Sequence, residues 1–172
     1  ERRRYVKVIL DEIARLDDII KNLLNFARPV SPRPKDISLP RLIEEALALV
    51  SDTAAEKGVR LRFENLLRDD RCMLDSDQVK QVILNIALNG IEASDAGGVV
   101  SVFAREAANA AFIEIELADT GAGIPGDIAD RLYNPFFTTK PEGTGMGLSI
   151  SRKIAESHGG RVLIPDLADH DD

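Results

Sequence analysis

The chain has 172 residues, 44% of them hydrophobic, which suits one globular domain with or without an appendage and excludes a disordered tail. Its 22 basic and 29 acidic side chains leave a formal charge of -7, and aromatics make up 5% with no Trp, so tracking a nucleic-acid backbone or stacking its bases is not expected. Cys72 is the sole cysteine, which excludes an internal disulfide and a Cys-cluster metal site; no apolar run approaches membrane-spanning length, and a reducing, cytoplasmic setting is expected.

Residues 5–27 read as one long helix. Val6, Ile9, Ile13, Leu16, Ile20, Leu23 and Ala27 form an a/d heptad seam over three heptads. Leu10, Ile19 and Leu24 widen that stripe beyond a two-stranded seam, as in a helical bundle. A homodimer through this bundle is expected, against the plainer alternative of a helix folded onto its own domain. The chain opens inside the helix, at Glu1-Arg2-Arg3-Arg4, and reads as a piece of a longer protein. Pro29, Pro32 and Pro34 then mark an extended, semi-rigid linker. Residues 1–28 carry seven basic and five acidic groups, net +2, and the remainder 15 and 24, net -9. Three parts are expected: a bundle helix at 1–28, a linker at 29–38 and a globular domain at 39–172.

Within the globular part, residues 39–57 have helical periodicity, with Gly58 at the position after the helix. Residues 59–63 alternate as a strand, and 72–74 form a second, short one. Residues 77–94 read as a helix capped by Asp75 or Ser76. Strands 99–105 and 111–118 follow as a hairpin through Ala108-Asn109, then a turn-rich stretch at 119–145, a helix at 146–158 ended by Gly159-Gly160, and a last strand at 161–164. This order predicts a two-layer α/β sandwich with an antiparallel-leaning sheet.

Four segments carry candidate chemistry. On helix 77–94, Gln78, Gln81, Asn85, Asn89 and Glu92 share one face, while most of the circumference is apolar. Amides on a buried helix need partners, and their oxygens suit a hard cation such as Mg2+ shared with a phosphate ligand. Asp119-Thr120-Gly121-Ala122-Gly123-Ile124-Pro125 follows a strand; its Asp can accept from an exocyclic amine, and its glycines permit close backbone approach. Asn134-Pro135-Phe136-Phe137-Thr138-Thr139-Lys140 puts two aromatics in a loop, which predicts a lid with a docked anchor, and Thr139 and Lys140 can reach a phosphate. Gly143-Thr144-Gly145-Met146-Gly147-Leu148 runs into a helix and offers backbone N–H groups to an anion. It is neither a Walker A loop nor a dinucleotide fingerprint.

The order and spacing of these segments closely resemble the ATP-binding catalytic lobe of sensor histidine kinases, in the GHKL ATPase class. The stretches DQVKQVILNIALNGIEAS, DTGAGIP, NPFFTTKPEGTGMGLSIS and HGGR resemble the N, G1, F and G2 boxes of the nitrogen-regulation type of sensor kinase. Helix 5–27 then resembles the second helix of the dimerisation and phosphotransfer bundle. The resemblance implies ATP and Mg2+ as ligands and a response-regulator receiver domain as partner. It implies that Asn89 ligates Mg2+ and that Asn85 assists it or contacts phosphate. ATP-hydrolysing relatives carry a water-activating Glu at that turn; Asn85 cannot take a proton, which favours transfer to a protein acceptor. Asp119 would read the adenine amine, with Gly121, Gly123 and Ile124 shaping its pocket. Glu92, Phe137, Thr138, Thr139, Thr144, Met146 and Leu148 would line the nucleotide. Gly143, Gly145 and Gly147 would wrap the triphosphate, and Lys140 would neutralise charge beside it.

The chain departs from the family pattern in three ways. The phosphoacceptor His of the first bundle helix is not among these residues, which leaves His158 at a helix end and His170 in an acidic tail. Gly90 stands where Ala is usual, and residues 165–172 lack the family's closing Gly-containing turn and strand. Two other readings are a non-catalytic dimerising module that docks a response regulator, and a GHKL ATPase or serine kinase. The complete set of glycine boxes disfavours the first; Asn85 and the heptad helix disfavour the second. The parent protein is compatible with a membrane anchor, but nothing in this segment spans a bilayer.

Overall fold

The computed structural model describes residues 5, 6, 10, 13, 31–107, 112–140 and 143–164. Most of the expected heptad helix lies outside the described residues, as do the expected hairpin turn at 108–109 and residues 165–172. Tyr5, Val6, Leu10 and Ile13 are helical and exposed.

The first described element is a strand within the stretch assigned to the linker. β1 (Lys35–Ser38) is extended, as expected of a linker, but it is also paired antiparallel with β3 (Arg71–Leu74). Arg71 Nη2 lies 2.7 Å from Asp36 Oδ2 across this pair, and that hydrogen bond holds the Asp36 carboxyl below its ordinary pKa. Pro40, with its preset φ, opens α1 (Leu39–Leu49) without loss of a hydrogen bond. Leu39, Leu42, Ile43, Ala46 and Leu47 form its buried face.

The single helix expected over 39–57 is in fact two. Val50, at φ -108° and ψ 4°, separates α1 from α2 (Ser51–Lys57). Two i to i−3 contacts tighten the break: Val50 N–H donates to Leu47 O at 3.2 Å, and Ser51 Oγ donates to Ala48 O at 2.8 Å. Val50 stays in the core, so the apolar stripe continues through the kink. Gly58 ends α2 in the left-handed conformation, φ +72°, as its position predicts.

β2 (Arg60–Asn65), α3 (Ser76–Ala93), β4 (Val99–Glu106) and β5 (Ile113–Asp119) complete the scaffold. The sheet order is β2-β4-β5. β4 and β5 are antiparallel, as are β1 and β3, so the antiparallel leaning holds, but β2 and β4 are parallel, which the sequence did not show. The cause is the α3 crossover, which returns the chain across the sheet so that β4 starts at the same end as β2. Val100, Val102 and Ala104 of β4 are at most 1% exposed and pack with Ile43, Ile83, Ala87 and Ile91 of the helices. The two-layer α/β arrangement therefore holds. Arg105 pairs with Glu114 and Glu116 across β4 and β5.

α4 (Gly147–Ser157) is held by a smaller apolar cluster: Met146, Ile150 and Ile154, against Val82 of α3. A short 3-10 helix (Gly126–Arg131), not foreseen from sequence, lies between β5 and the glycine loop. The strand expected at 161–164 is irregular. The Val162 carbonyl accepts from the Tyr133 hydroxyl at 3.3 Å, and Gly159 (φ +74°) turns the chain away after α4. Among the described residues no helix is long and apolar enough to cross a membrane.

Candidate functional site

α3 is the spine of the site. Asp75 caps it, accepting from the N–H groups of Asp77 and Gln78 at 3.2 Å each, and from Arg33 N–H at 2.8 Å. Burial raises the Asp75 pKa, but these backbone donors outweigh it and hold the carboxyl below its ordinary value. The backbone N–H of Asp75 donates to His158 Nε2 at 3.2 Å, and His158 Nδ1 lies 2.9 Å from Ile154 O. Those two partners together require the neutral Nδ1–H tautomer, so His158 is a structural joint between α3 and the end of α4.

The C-terminal part of the polar stripe meets neighbouring segments, while Gln78 Oε1, among the described residues, is buried without a partner. Asn85 Nδ2 donates to Gly147 O at 3.3 Å and lies 3.4 Å from Ser151 Oγ, so Asn85 ties α3 to the first turn of α4. One turn on, Asn89 Oδ1 accepts from Lys140 Nζ at 3.1 Å. Lys140 also pairs with the Glu92 carboxylate, and the Glu92 carbonyl accepts from Lys57 Nζ. Two ammonium groups thus gather at the C-terminal, electronegative end of α3.

Asp119 sits at the end of β5 beside that same helix end. Its Oδ1 accepts from Gly121 N–H at 2.8 Å, an Asx turn that fixes the carboxylate. Gly121 packs so closely that a Cβ would lie 2.7 Å from Ala93 O. Gly90, which costs about 1 kcal/mol in a helix interior relative to Ala, has a reason here. A Cβ on Gly90 would lie 3.2 Å from Asp119 Cβ and 3.3 Å from Val100 Cγ2, tight contacts where α3 meets the end of β5.

The loop after the 3-10 helix has a single docked aromatic anchor, as expected. Phe137 is half-buried, with the Arg131 guanidinium carbon 4.4 Å from its ring centroid. Phe136 is 56% exposed and holds φ +68°, uncommon for a bulky residue. The strained backbone there brings the Phe136 and Phe137 carbonyls against Gly145. Gly145 itself has φ +66°, and a Cβ on it would sit 2.6 Å from Phe137 O. A Cβ on Gly143 would sit 2.5 Å from Thr138 Oγ1, which also accepts from Lys140 N–H at 3.1 Å. The glycines of this loop are demanded by its folding on itself.

Asn85, Asn89, Glu92, Lys140 and Gly147 are therefore brought together by direct contacts, and Asp119 and Gly121 join the same end of α3. Thr138, Gly143 and Gly145 pack within the loop, and Met146 is fully buried beneath it. Gly123 (φ +75°) stands in open space, Ile124 is 41% exposed and Thr139 is exposed; Thr144 and Leu148 are half-buried. Three participants were missed. Lys57 was readable only as a cation ending α2, Ser151 lies one turn after Gly147 on α4, and Gly90 was read as a helix defect. Each acts through a contact between distant segments.

The family model for the histidine kinase-, DNA gyrase B-, and HSP90-like ATPases matches residues 74–170. The sensor histidine kinase ZraS of Escherichia coli K12 is 36% identical over 164 residues, covering 95% of this chain and 35% of that protein. The chain spans about a third of the length of the curated relatives it matches. Among solved structures, full-length ShkA in complex with AMPPNP matches with a TM-score of 0.81 at 25% identity, over 91% of this chain and 34% of that one. Histidine kinase ThkA in complex with the response regulator TrrA matches with a TM-score of 0.74 at 28% identity, over 91% of this chain and 45% of that one.

Proposed function

Since the chain belongs to the histidine kinase-, DNA gyrase B-, and HSP90-like ATPase family, as the catalytic ATP-binding domain of a two-component sensor histidine kinase, we propose that it binds Mg·ATP along α3 and presents the γ-phosphoryl group to a protein histidine. The acceptor lies outside these 172 residues, on the first helix of a bundle to which residues 5–27 contribute the second. The phosphoryl group then passes to an Asp of a response-regulator receiver domain. Support for the bundle comes from the heptad spacing and from the ZraS match, which at 164 residues extends well into the N-terminal segment. Support for the receiver partner is the ThkA complex with its response regulator. The parts follow as a bundle helix at 1–28, a linker at 29–38 and the ATP-binding domain at 39–172, in a homodimer on the cytoplasmic side. The box sequences favour the nitrogen-regulation subtype.

One observation carries the reading: an amide oxygen of α3, Asn89 Oδ1, already faces a cation, the Lys140 ammonium, at 3.1 Å. A hard oxygen in that position fits Mg2+, and bound Mg2+ neutralises charge on the phosphate oxygens during transfer. Lys140 supplies a second positive charge beside the phosphates. Asn85 holds Gly147 and so sets the entry to α4, whose backbone N–H groups meet anionic oxygens. Asp119, fixed by Gly121, accepts from the adenine amine. The outer loop contributes the Lys140 ammonium and backbone groups, and catalysis is by orientation and charge. Asn85 has no basic lone pair for water, so transfer to histidine prevails over hydrolysis.

Calorimetric titration with a non-hydrolysable ATP analogue tests this. Mg2+-dependent binding by the parent chain is expected, together with its loss in a folded Asn89→Ala variant. Unchanged affinity and Mg2+ dependence in that variant would remove Asn89 from the site.

A further inference from the structure

Lys140 makes a contact that nucleotide binding does not require. Its ammonium is held by two acceptors on successive turns of α3, Asn89 Oδ1 at 3.1 Å and the Glu92 carboxylate. The lysine is also fixed at its own backbone, because Lys140 N–H donates to Thr138 Oγ1 at 3.1 Å and its carbonyl accepts from Gly143 N–H at 3.2 Å. The aliphatic stem is therefore anchored at one end by these backbone hydrogen bonds and the charged head is delivered to α3 at the other. Glu92 is itself tied down, since its carbonyl receives Lys57 Nζ. The consequence is a cation placed against the very oxygen that the reading above assigns to Mg2+.

We propose that Lys140 is a tethered counter-cation that competes with Mg2+ for Asn89 Oδ1, with Glu92 as the positioning residue that parks the lysine there. This rests on Asn89 being the Mg2+ donor. An ammonium and Mg2+ on one amide oxygen repel each other, so each weakens the other's hold there. Binding of the metal–nucleotide pair is thus an exchange. Mg2+ takes Asn89, and the released ammonium turns from Glu92 to the triphosphate, whose charge replaces the carboxylate as its partner. The exchange raises the Mg2+ concentration needed for tight binding and keeps the donor corner neutralised in its absence. Lys140 and Glu92 side chains are 40% and 52% exposed, so the contact is weak enough to be displaced.

The test is the Mg2+ concentration that gives half of the maximal gain in analogue affinity, measured calorimetrically on the 172-residue chain. Lys140→Met keeps the stem and removes the charge. Its half-saturating Mg2+ concentration is expected to fall about threefold to tenfold, the range of a partly exposed charged hydrogen bond lost as a competitor. The analogue's affinity without Mg2+ is expected to fall in the same variant, because the ammonium no longer meets the phosphates. A half-saturating concentration that is unchanged or higher overturns the exchange. Asn89→Ala, measured in parallel, separates the two claims. If it abolishes the Mg2+ effect while Lys140→Met leaves the concentration unmoved, the exchange alone is wrong. If Asn89→Ala leaves the Mg2+ effect intact, the donor assignment itself falls, and the exchange with it.

Discussion

The two sides of the proposed nucleotide site are built on unequal foundations. The α3 and β5 side rests on the main core, where Ile83, Ala87, Ile91, Val100, Val102 and Ala104 are all at most 1% exposed. The α4 side rests on Met146, Ile150 and Ile154 with Val82, supplemented by polar ties. Those ties are Asn85 to Gly147, His158 to Asp75, and the Arg152 guanidinium over the Tyr133 ring at 5.1 Å. The contrast places Asn89 and Asp119 on a rigid frame and the glycine loop on an element that can loosen by itself. Segments with few buried apolar contacts open at lower free energy than the global unit. The proposed phosphate-wrapping role needs a loop that admits its ligand, and the weaker footing suits that role.

The sharpest way to break this comparison is to empty each core in turn. Ile91→Ala, at a fully buried position of the main cluster, is expected to cost about 3–5 kcal/mol in denaturant unfolding and to speed amide exchange throughout the sheet. Ile154→Ala is expected to speed exchange chiefly in α4. Equal acceleration in α4 and β4 by Ile154→Ala would show one cooperative unit and dissolve the distinction.

Gly145→Ala probes the loop without touching either core. Its φ of +66° and the Phe137 carbonyl 2.6 Å from the added Cβ force the loop to shift. A stability loss of about 1–2 kcal/mol is expected, with loss of analogue binding in a protein that still unfolds cooperatively. Retained binding would mean that the loop conformation seen here is not the one that holds phosphate.

Asp75→Ala tests the joint between the sides, with the smallest effect. The folded-state carboxyl is depressed below 3.8, so its contribution is fully present above that value and is lost as the pH falls through the depressed folded value. The variant is expected to be about 1 kcal/mol less stable at neutral pH, and the gap to the parent chain should close in acid below 3.8. A gap that is independent of pH would assign the loss to packing rather than to the ionised cap.

Much of this could be read from the chain in one dimension. Apolar spacing located α3 and α4, Gly58 marked the end of α2, and helical spacing put Asn85, Asn89 and Glu92 on one face of α3. Periodicity reports such features because they depend on neighbours within one helical turn or one strand. The glycine boxes were legible for a related reason, since a residue without a Cβ signals a close approach even when the approaching group is unknown.

What remained hidden depends on segments far apart in sequence. The parallel pairing of β2 with β4 follows from the α3 crossover, and β1 is a strand only because β3 lies beside it. Phe136 and Phe137 differ in burial because a single positive φ sends one outward. Gly90 looked like a defect until Asp119 and Val100 were found against it. Lys140 meets Asn89 and Glu92 across about 50 residues of chain, a pairing that no local pattern encodes. Sequence by itself determined the elements, the chemistry available on α3 and the family. The tertiary structure alone decided which donor faces which cation, because such contacts are settled by packing between elements and not by propensity within them.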